Sequence, residues 1–544
     1  MLKKIVFIVL FLVPIVLFGQ INKAENLHKL CEVWGFLKYY HPAVMQGKYD
    51  WDEELFKMID KMDTLRTGEE GEHLLLAWIR SIGDVEQGKP LQIKDSTKYA
   101  VYPDYEWIET DCKNKELKDE LIKIKDCKRD LPSHYVTLLP YEHNATFRNE
   151  KSINDIDYSN EKHKLLFLFR FWNAINYYFP YKHLTNKDWN DVLREYIPKF
   201  LEAQTKFELH QNFAQLTAEI NDSHCIVKGD ENLCYEGVFR KYNVPVHLSI
   251  VDNKVIMSGI FEKYRDSIVD LKIGDEILAV DGIPLENLIR KKLKFIPMSN
   301  YNSADNVTDK LLCSDDEDIV LDVVRERKKI KISTKGYRGV RFYEPKPCKY
   351  KMLGDSILYV WTEGCKEMDV IGIASMLNSA KGLILDLRGY PGGIWYTLGY
   401  FLMPKPTLFA YWYKPVLKYP GLFERYEANR VGSMNPNYYK GKIVLLVNQV
   451  SISHAEATTM AWQVAPNVTT IGSQTAGANG NLSQIVMPDG LVARFSGLGV
   501  CYPDYSETQR VGVRVDEEVR NTYEDIVNGR DRVLERAIEL INKN

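Results

Sequence analysis

The stretch IVLLVNQVSISHAEATTM, residues 443–460, determines how the C-terminal part of this chain folds. Its apolar run ends at Asn448, the short polar segment VSISH follows, and the next residues have a helical composition. A buried strand that turns into a helix is the building unit of α/β proteins. The unpaired N–H groups at the start of a helix favour negative charge. The sequence therefore predicts a nucleophile at this junction, which contains two serines, Ser451 and Ser453.

Strands and helices alternate on either side of this junction. SILYVWT (356–362) and KGLILDLRG (381–389) are typical of strands, and MDVIGIASMLNSA (368–380) is typical of a helix. Such alternation predicts a mixed, largely parallel sheet with helices on its faces. We expect this α/β core to cover residues 345–544.

The N-terminal part contains two similar helical segments. LCEVWGFLKYYHP (30–42) and LFRFWNAINYYFP (168–180) align with an offset of 138 residues, which places Trp34 on Trp172. We expect a helical repeat with copies at 20–90 and 157–235, joined by a connector at 91–156. The first copy ends in IGDVE (82–86), whereas the second ends in INDSH (220–224). Ser223 and His224 are thus a candidate functional pair, and an ordinary loop histidine is the alternative.

Between the second copy and the core, the pattern changes to short strands. LKIGDEILAVDGIPL (271–285) closely resembles part of a PDZ domain, which we expect at residues 236–336. Such domains bind extended peptides by strand addition. We expect this unit to supply affinity for a peptide rather than chemistry, and a β-rich spacer is the alternative. The complete chain is thus predicted to be multidomain α+β: a helical repeat region, a PDZ-like β-rich domain and a mixed α/β core.

Composition excludes several classes of function. The 544 residues include 71 basic and 74 acidic side chains, and the net charge of −3 does not favour nucleic acid as a partner. The nine cysteines form no CxxC pair, so we expect neither a zinc site nor another cofactor. In an oxidising compartment Cys112 could pair with Cys127, or Cys225 with Cys234.

The N-terminus predicts export. Met1–Lys4 is basic, Ile5–Phe18 is apolar, and Gly19 supplies a small residue for cleavage. This pattern is typical of a signal peptide, here residues 1–19, and a membrane anchor is the alternative. We therefore expect a periplasmic or extracellular protein without membrane contact after cleavage. The sequence does not predict an oligomeric state.

Three separated motifs resemble the carboxyl-terminal processing, or tail-specific, protease family. They are GLILDLRGYPGG (382–393), VLLVNQVSISHAEA (444–457) and TTIGSQTAGANG (469–480). The resemblance implies a serine endopeptidase that acts on peptide or protein substrates. It also implies that Ser453 is the nucleophile, because that serine precedes the glutamate of the helix by three residues. The backbone N–H groups of His454 and of Gly392 or Gly393 would then bind the oxyanion. Ser451 or Ser453 could instead merely cap the helix.

One departure from that family points to a relative. The processing proteases use a lysine as base, but the corresponding residue here is Ala478. The chain also resembles the tricorn core proteases, whose base is a histidine that follows a serine ahead of the PDZ domain. This resemblance implies that His224 is the base and that Ser223 orients it.

The tricorn-like resemblance also implies a fourth residue, a glutamate. In SETQRVGVRVD (506–516) the corresponding place is about Gln509, with Glu507 two residues earlier. Either side chain could instead lie on the surface. Because the lysine is missing, the alternative function is a catalytically silent peptide-binding or scaffold protein of the same fold.

Overall fold

The computed structural model describes residues 23–543 except 131, 230–239, 269, 302–307, 344–345 and 429. The predicted signal peptide, residues 1–19, and Cys234 lie outside the described residues. Within the described residues, no helix combines the length and apolar character needed to cross a bilayer. The chain is multidomain α+β, with a helical N-terminal region, a β-rich PDZ unit and a mixed α/β core.

The helical region contains two groups of three helices. The first group has α1 over residues 23–40, α2 (Trp51–Met62) and α3 (Gly68–Ile82). The intervening segment contains α4 (Lys115–Lys125) and short strands at Tyr99–Val101, Val136–Leu138 and Ala145–Phe147. The second group has α5 (Glu161–Tyr178), α6 (Trp189–Glu202) and α7 (Lys206–Ala218), and ends in strand β1 (Ile226–Lys228).

The same hydrogen bonds hold each group of helices together. The Trp34 and Trp51 indoles donate to each other's backbone carbonyl at 3.0 Å in both directions. Trp172 and Trp189, 138 residues later, make the same reciprocal bonds at 2.8 and 3.0 Å. A buried indole N–H needs an acceptor, and each tryptophan here supplies one for its partner. The reciprocal bonds therefore fix how the first two helices of each group cross.

The PDZ unit is an antiparallel sheet with one helix. Its strands are β2 (Val246–Val251), β3 (Lys254–Ile260), β4 (Glu276–Val280), β5 (Asp318–Arg325) and β6 (Lys328–Lys335). They lie in the order β6-β5-β4-β3-β2, and helix α8 (Leu285–Leu293) follows β4.

The core is a six-stranded sheet in the order β7-β8-β9-β10-β11-β14, parallel except for the β7–β8 pair. Its elements, in chain order, are β7 (Lys349–Leu353), β8 (Ile357–Trp361), α9 (Glu367–Leu377), β9 (Gly382–Asp386), α10 (Trp395–Leu402), β10 (Lys442–Val447), α11 (His454–Gln463), β11 (Val468–Gly472), β12 (Leu482–Val486), β13 (Val492–Ser496), β14 (Glu517–Glu518) and α12 (Arg532–Asn542). A second sheet joins Tyr99–Val101, Phe423–Glu427, Tyr411–Pro415 and Gly499–Cys501.

Helices cover both faces of the core sheet. Leu383 and Leu385 of β9 pack in the apolar cluster that includes residues of α9, α10 and α11. Ile384 between them packs in the opposite cluster, with Val533 and Ile541 of α12. Because side chains alternate along a strand, a sheet covered on both faces needs a continuous apolar run. The run GLIL is such a strand.

A small sheet brings the helical region to the core. Strand β1 pairs antiparallel with β13, which in turn pairs with β12. In this register Ile226 faces Arg494. His224, two residues before Ile226, therefore lies beside the end of β13 at Ser496.

The cysteine pairing differs from the expected one. The structure contains a disulfide between Cys348 and Cys365, which are 17 residues apart. Cys112, Cys127 and Cys225 are free and buried, so the expected pairing of Cys112 with Cys127 is wrong. Spacing gave no signal for the observed pair, because antiparallel β7 and β8 bring Cys348 and Cys365 together.

Candidate active site

Ser453 lies at the turn between β10 and α11, where it is the N-cap residue. Its backbone φ of 56° lies in the left-handed region, which is unusual for a residue other than glycine. Such strain persists only where neighbouring groups hold the backbone, and it is common at active sites. Here the Ser453 N–H donates to the Ala478 carbonyl at 2.9 Å, and its carbonyl accepts the Ala457 N–H.

Glu456 fastens this turn to the loop at residues 475–478. Its carboxylate is fully buried and accepts the Thr475 hydroxyl at 2.5 Å and the N–H groups of Gly477 and Ala478 at 2.9 and 3.0 Å. The Ser453 N–H reaches the same carboxylate at 3.3 Å. Burial raises the pKa of the Glu456 carboxyl to about 7, although these hydrogen bonds oppose the shift.

Ser451 makes local hydrogen bonds and does not cap the helix. Its hydroxyl donates to the Leu387 carbonyl at 2.7 Å and accepts the Asn448 N–H at 3.1 Å. These bonds tie the turn after β10 to the end of the neighbouring strand β9. Ser451 therefore supports the turn, while Ser453 stands at the head of the helix.

His224 lies in a buried cluster at the end of β13. Its side chain is 7% exposed, and its Nδ1 is 2.9 Å from the Ser496 hydroxyl. Burial lowers the pKa of the imidazole, and the charge of Asp222 opposes this shift. The ring is therefore kept neutral at neutral pH, which is the form that accepts a proton.

Asp222 and Ser496 fix the tautomer of that ring. The Ser496 hydroxyl donates to Asp222 Oδ1 at 3.1 Å, and the Ser496 N–H donates to Oδ2 at 2.7 Å. A hydroxyl has one proton, and a carboxylate can only accept. The Ser496 oxygen therefore accepts the Nδ1–H of His224. This assignment leaves the His224 Nε2 lone pair available to accept a proton.

The assignment corrects the expected role of Ser223. Its hydroxyl accepts the Ser299 N–H at 2.9 Å, and the imidazole Nδ1 is bonded to Ser496 instead. Asp222 and Ser496 were not expected in the site. The residue that aligns with Asp222 in the first helical copy is Asp84, which is also an aspartate. Because the two copies do not differ at this position, their comparison does not indicate a functional role for Asp222. Ser496 belongs to a strand with no distinguishing motif.

The two candidates for the fourth residue lie in different places. Gln509 is buried, and its Nε2 donates to Asp222 Oδ1 at 3.3 Å and to the Ser299 hydroxyl at 3.4 Å. Glu507 is instead bonded to Tyr413 at 2.5 Å and to His183 at 3.0 Å. Burial would raise the pKa of Glu507, but the hydrogen bonds from these two residues keep it lowered. Glu507 therefore lies away from the His224 cluster, and Gln509 lies at it.

Gly392 and Gly393, the two glycines of the expected oxyanion site, differ in whether the backbone N–H already has an acceptor. The Gly392 N–H donates to the Thr362 carbonyl at 3.0 Å, so it is not available to a ligand. Among the described residues, the N–H groups of Gly393 and His454 have no acceptor. The His454 side chain bonds to the Gly392 backbone, and burial lowers the pKa of its imidazole. Gly393 and His454 thus remain as the candidate donors.

The PDZ unit contributes to this site directly. Residues 295–301 follow helix α8, and Ser299 and Asn300 make hydrogen bonds to residues on both sides of the site. The expectation that this unit supplies affinity alone is therefore incomplete. Its deletion would remove these contacts.

One cavity at the core sheet lies away from the site. A cavity of about 800 Å³ opens at the carboxyl edge of the sheet and is lined by Trp361, Arg388 and Asn448, among others. Neither His224 nor Ser453 lines it. No group of three or more His, Cys, Asp or Glu side chains in the described part of the chain could hold a metal ion.

The parallel sheet with a serine at the head of a helix, next to a PDZ domain, defines a serine-type peptidase. Residues 366–519 match the model of peptidase family S41, and residues 240–344 match that of a PDZ domain. The core of the chain is thus similar to peptidase family S41, and the unit before it is similar to a PDZ domain. No curated protein sequence matches it.

Solved structures are similar to the chain in fold. Mature CPAF complexed with lactacystin is 13% identical, with a TM-score of 0.54, and the match covers 71% of this chain and 99% of that one. The photosystem II D1 C-terminal processing protease is 15% identical over 70% of this chain and 97% of that one, with a TM-score of 0.42. The tricorn protease is 13% identical over 77% and 43%, with a TM-score of 0.32. At these identities the likeness concerns the fold alone.

Substitution at Gly392 is expected to damage the oxyanion loop. A Cβ at this position would lie 1.7 Å from the Cys365 carbonyl oxygen, whereas a Cβ at Gly393 would meet nothing within 4 Å. We expect Gly392→Ala to lower stability by about 1–3 kcal/mol, as overpacking does, and to slow the reaction of Ser453 with a fluorophosphonate. Gly393→Ala is the matched control and should keep the wild-type melting temperature. If Gly392→Ala reacted with the fluorophosphonate at the wild-type rate, the result would contradict the assignment of this loop to the oxyanion site.

Proposed function

We propose that this chain is an exported serine endopeptidase that cleaves unfolded or C-terminal protein segments through an acyl-enzyme. Ser453 is the nucleophile and His224 is the general base. One observation carries the proposal: Asp222 and Ser496 hold the His224 ring in the tautomer whose Nε2 accepts a proton. A base whose tautomer is fixed by a second group, with a carboxylate behind it, is the arrangement found in catalytic triads.

The first chemical step forms a tetrahedral intermediate. The Ser453 hydroxyl attacks the carbonyl carbon of the scissile peptide bond while Nε2 of His224 takes its proton. The positive charge that forms on the imidazole is stabilised through Ser496 by the Asp222 carboxylate. The N–H groups of His454 and Gly393 bind the oxyanion, and the positive end of the α11 dipole supports them.

The second step forms the acyl-enzyme: His224 returns its proton to the leaving amine, and the C–N bond breaks. A water molecule then attacks the ester at Ser453, with His224 again as the base. The ester C–O bond breaks, His224 returns the proton to the Ser453 oxygen, and the carboxylic acid product leaves. Gln509 is a neutral amide, so it adds a hydrogen bond to Asp222 without a second negative charge beside the carboxylate.

The PDZ domain and the peptidase core together imply peptide or protein as the substrate. We infer that the PDZ domain binds an extended segment by strand addition and that the core cleaves it. We also infer export, on the basis of the apolar segment after Met1–Lys4.

A catalytically silent peptide-binding protein is the second candidate. The observation that favours it is Ala478, a fully buried side chain at the position where the processing proteases have lysine. The two functions differ in one measurable property, the nucleophilicity of Ser453.

Covalent labelling tests the proposal. A fluorophosphonate should modify Ser453 of the wild-type chain by displacement of fluoride, and the modified tryptic peptide identifies the residue. Ser453→Ala should abolish the modification. Ser451→Ala is the matched control, because this serine lies in the same turn but has its hydroxyl bonded to a carbonyl; it should remain labelled. Labelling of Ser453→Ala to the wild-type extent, or an unreactive wild-type chain, would contradict the proposal.

We further propose that the two helical groups are copies of one unit and that only the second carries a catalytic residue. The reciprocal tryptophan bonds support this interpretation. Capping boxes at Thr67 and Thr205, again 138 residues apart, support it as well.

A further inference from the structure

A segment of the PDZ unit, residues 295–301, is inserted between two loops of the site. The His224 loop is the stretch that joins α7 to β1, and the Ser453 loop is the turn that joins β10 to α11. Ser299, six residues after helix α8, is fully buried. The Ser223 N–H donates to the Ser299 hydroxyl at 2.9 Å, and the Ser299 N–H donates to the Ser223 hydroxyl at 2.9 Å. Because each residue donates a hydrogen bond to the other, the relative position of Ser223 and Ser299 is constrained. Ser299 therefore fixes the residue that precedes His224.

The next residue, Asn300, bonds to the opposite loop. Its Nδ2 donates to the carbonyls of Thr475 and Ala476 at 3.0 and 3.2 Å, and to that of Arg510 at 3.0 Å. Thr475 is also bonded to Glu456, whose carboxylate holds the Ser453 N–H. Asn300 thus connects the segment to the nucleophile's turn.

Arg510 anchors the same segment from a third direction. Its Nε donates to the Ser299 carbonyl at 3.0 Å, and its Nη2 donates to Asn186 Oδ1 at 2.8 Å. Its own N–H donates to the Gly477 carbonyl at 2.8 Å. Gln509 beside it reaches both Asp222 and Ser299. The segment is therefore connected to the helical region and to the core.

We propose that Ser299 and Asn300 are positioning residues that hold the His224 loop in register with the Ser453 loop. The inference rests on the proposed function and deepens it, because it gives the PDZ unit a part in assembling the site. His224 and Ser453 belong to separate units of the chain, and the path of hydrogen bonds from Ser223 to Thr475 runs through these two residues. A displacement of about 1 Å between reacting groups can cost about 100-fold in rate.

Two uncharged substitutions test the inference. Ser299→Ala removes the hydroxyl that accepts the Ser223 N–H, and Asn300→Leu removes the donor to three carbonyls at similar size. We expect the maximal rate of fluorophosphonate labelling at Ser453 to fall about 10- to 100-fold, with the half-saturating concentration changed less than about twofold. Ser249→Ala is the matched control, because it breaks a serine–serine hydrogen bond inside the PDZ sheet. It should label at the wild-type rate.

The ionisation of His224 separates positioning from folding. Burial lowers the pKa of this imidazole, so a loosened and more hydrated ring should titrate at higher pH. We expect the acid limb of the labelling rate to move to higher pH in Ser299→Ala and Asn300→Leu, and not in Ser249→Ala. A variant that is only less stable would label more slowly with an unshifted limb, and that result would contradict the inference.

A second measurement does not depend on activity. NMR of ¹³C-labelled histidines in a Ser453→Ala background follows the titration of His224, assigned by its loss in His224→Ala. We expect the His224 midpoint to rise when Ser299→Ala or Asn300→Leu is added. An unchanged midpoint in both variants would overturn the inference. A wild-type Ser453 that reacts with no probe would contradict the proposed function instead, and the NMR titration would still decide the inference.

Discussion

Replacement of His224 by alanine is expected to lower peptidase turnover by a factor on the order of 10⁴. A serine hydroxyl is too weakly acidic to attack a peptide bond at neutral pH unless another group takes its proton. The buried Nε2 of His224 is the group that the tautomer assignment leaves free for this task. Hydrolysis of an unfolded, fluorescence-quenched protein substrate measures the loss.

The double variant distinguishes a base from an independent contributor. Members of one catalytic unit act together, so Ser453→Ala with His224→Ala should be scarcely slower than either single variant. His183→Ala is the control, because this histidine is bonded to Glu507, away from the His224 cluster. It should retain most of the activity. If His224→Ala kept more than a few per cent of wild-type turnover, another base would have to be sought.

The pH dependence of turnover follows from the same residue. Activity requires neutral imidazole, so it falls as the pH drops through the His224 pKa. Because burial lowers this pKa from its ordinary value of 6.5, the acid limb should have its midpoint below pH 6.5. A midpoint above 6.5 would mean that the His224 ring is hydrated or that a different group titrates.

Parts of this architecture follow from local patterns in the sequence. The tryptophans and leucines at helical spacing predict the helical groups, since each apolar face must be buried. The apolar run before Asn448 and the small polar residues after it predict the strand and the turn at Ser453. The resemblance to the tricorn core proteases brought His224 into the site. All of these depend on residues that are near one another in the chain or on motifs read in one piece.

The contacts around His224 depend on residues far apart in the chain. Ser496 is 272 residues from His224, and only the pairing of β1 with β13 brings the two side chains together. Asp222 shows the limit of comparing the two copies. Its counterpart Asp84 has a side chain that is 98% exposed, whereas Asp222 is fully buried. The same residue thus has two environments, and sequence identity between the copies cannot distinguish them.

The position of Glu507 has a similar explanation. Glu507 and Gln509 are two residues apart, and a strand would point both to one face. The chain leaves the strand pattern here: Glu507 pairs with Cys501 in an isolated bridge, and Arg510 has a φ of 68°. The turn directs Gln509 to Asp222 and leaves Glu507 with Tyr413. The alignment with the tricorn core proteases therefore predicts a position beside Asp222 that Gln509 occupies and Glu507 does not.

The second large effect is expected at Asp222, whose carboxylate accepts four hydrogen bonds. Oδ1 accepts the backbone N–H of His224 at 3.1 Å, the Ser496 hydroxyl at 3.1 Å and the Gln509 side-chain amide at 3.3 Å. Oδ2 accepts the Ser496 N–H at 2.7 Å. An asparagine amide has one oxygen and one NH₂ group, so whichever way it turns, its NH₂ faces a donor. A buried donor without a partner costs about 1–3 kcal/mol.

We expect Asp222→Asn to lower turnover by roughly 10²- to 10⁴-fold, because it inverts the tautomer of His224. When the amide NH₂ faces the Ser496 hydroxyl, that hydroxyl donates to Nδ1 instead of accepting from it, and the ring proton moves to Nε2, where the base is needed. Nitrogen-15 shifts of His224 report the tautomer. Asp489→Asn is the control: the side chain of Asp489 is buried and lies 2.6 Å from His210, outside the site. It should cost stability and leave turnover nearly intact. Asp222→Asn with near-wild-type turnover and an Nδ1–H tautomer would show that the carboxylate does not set the base.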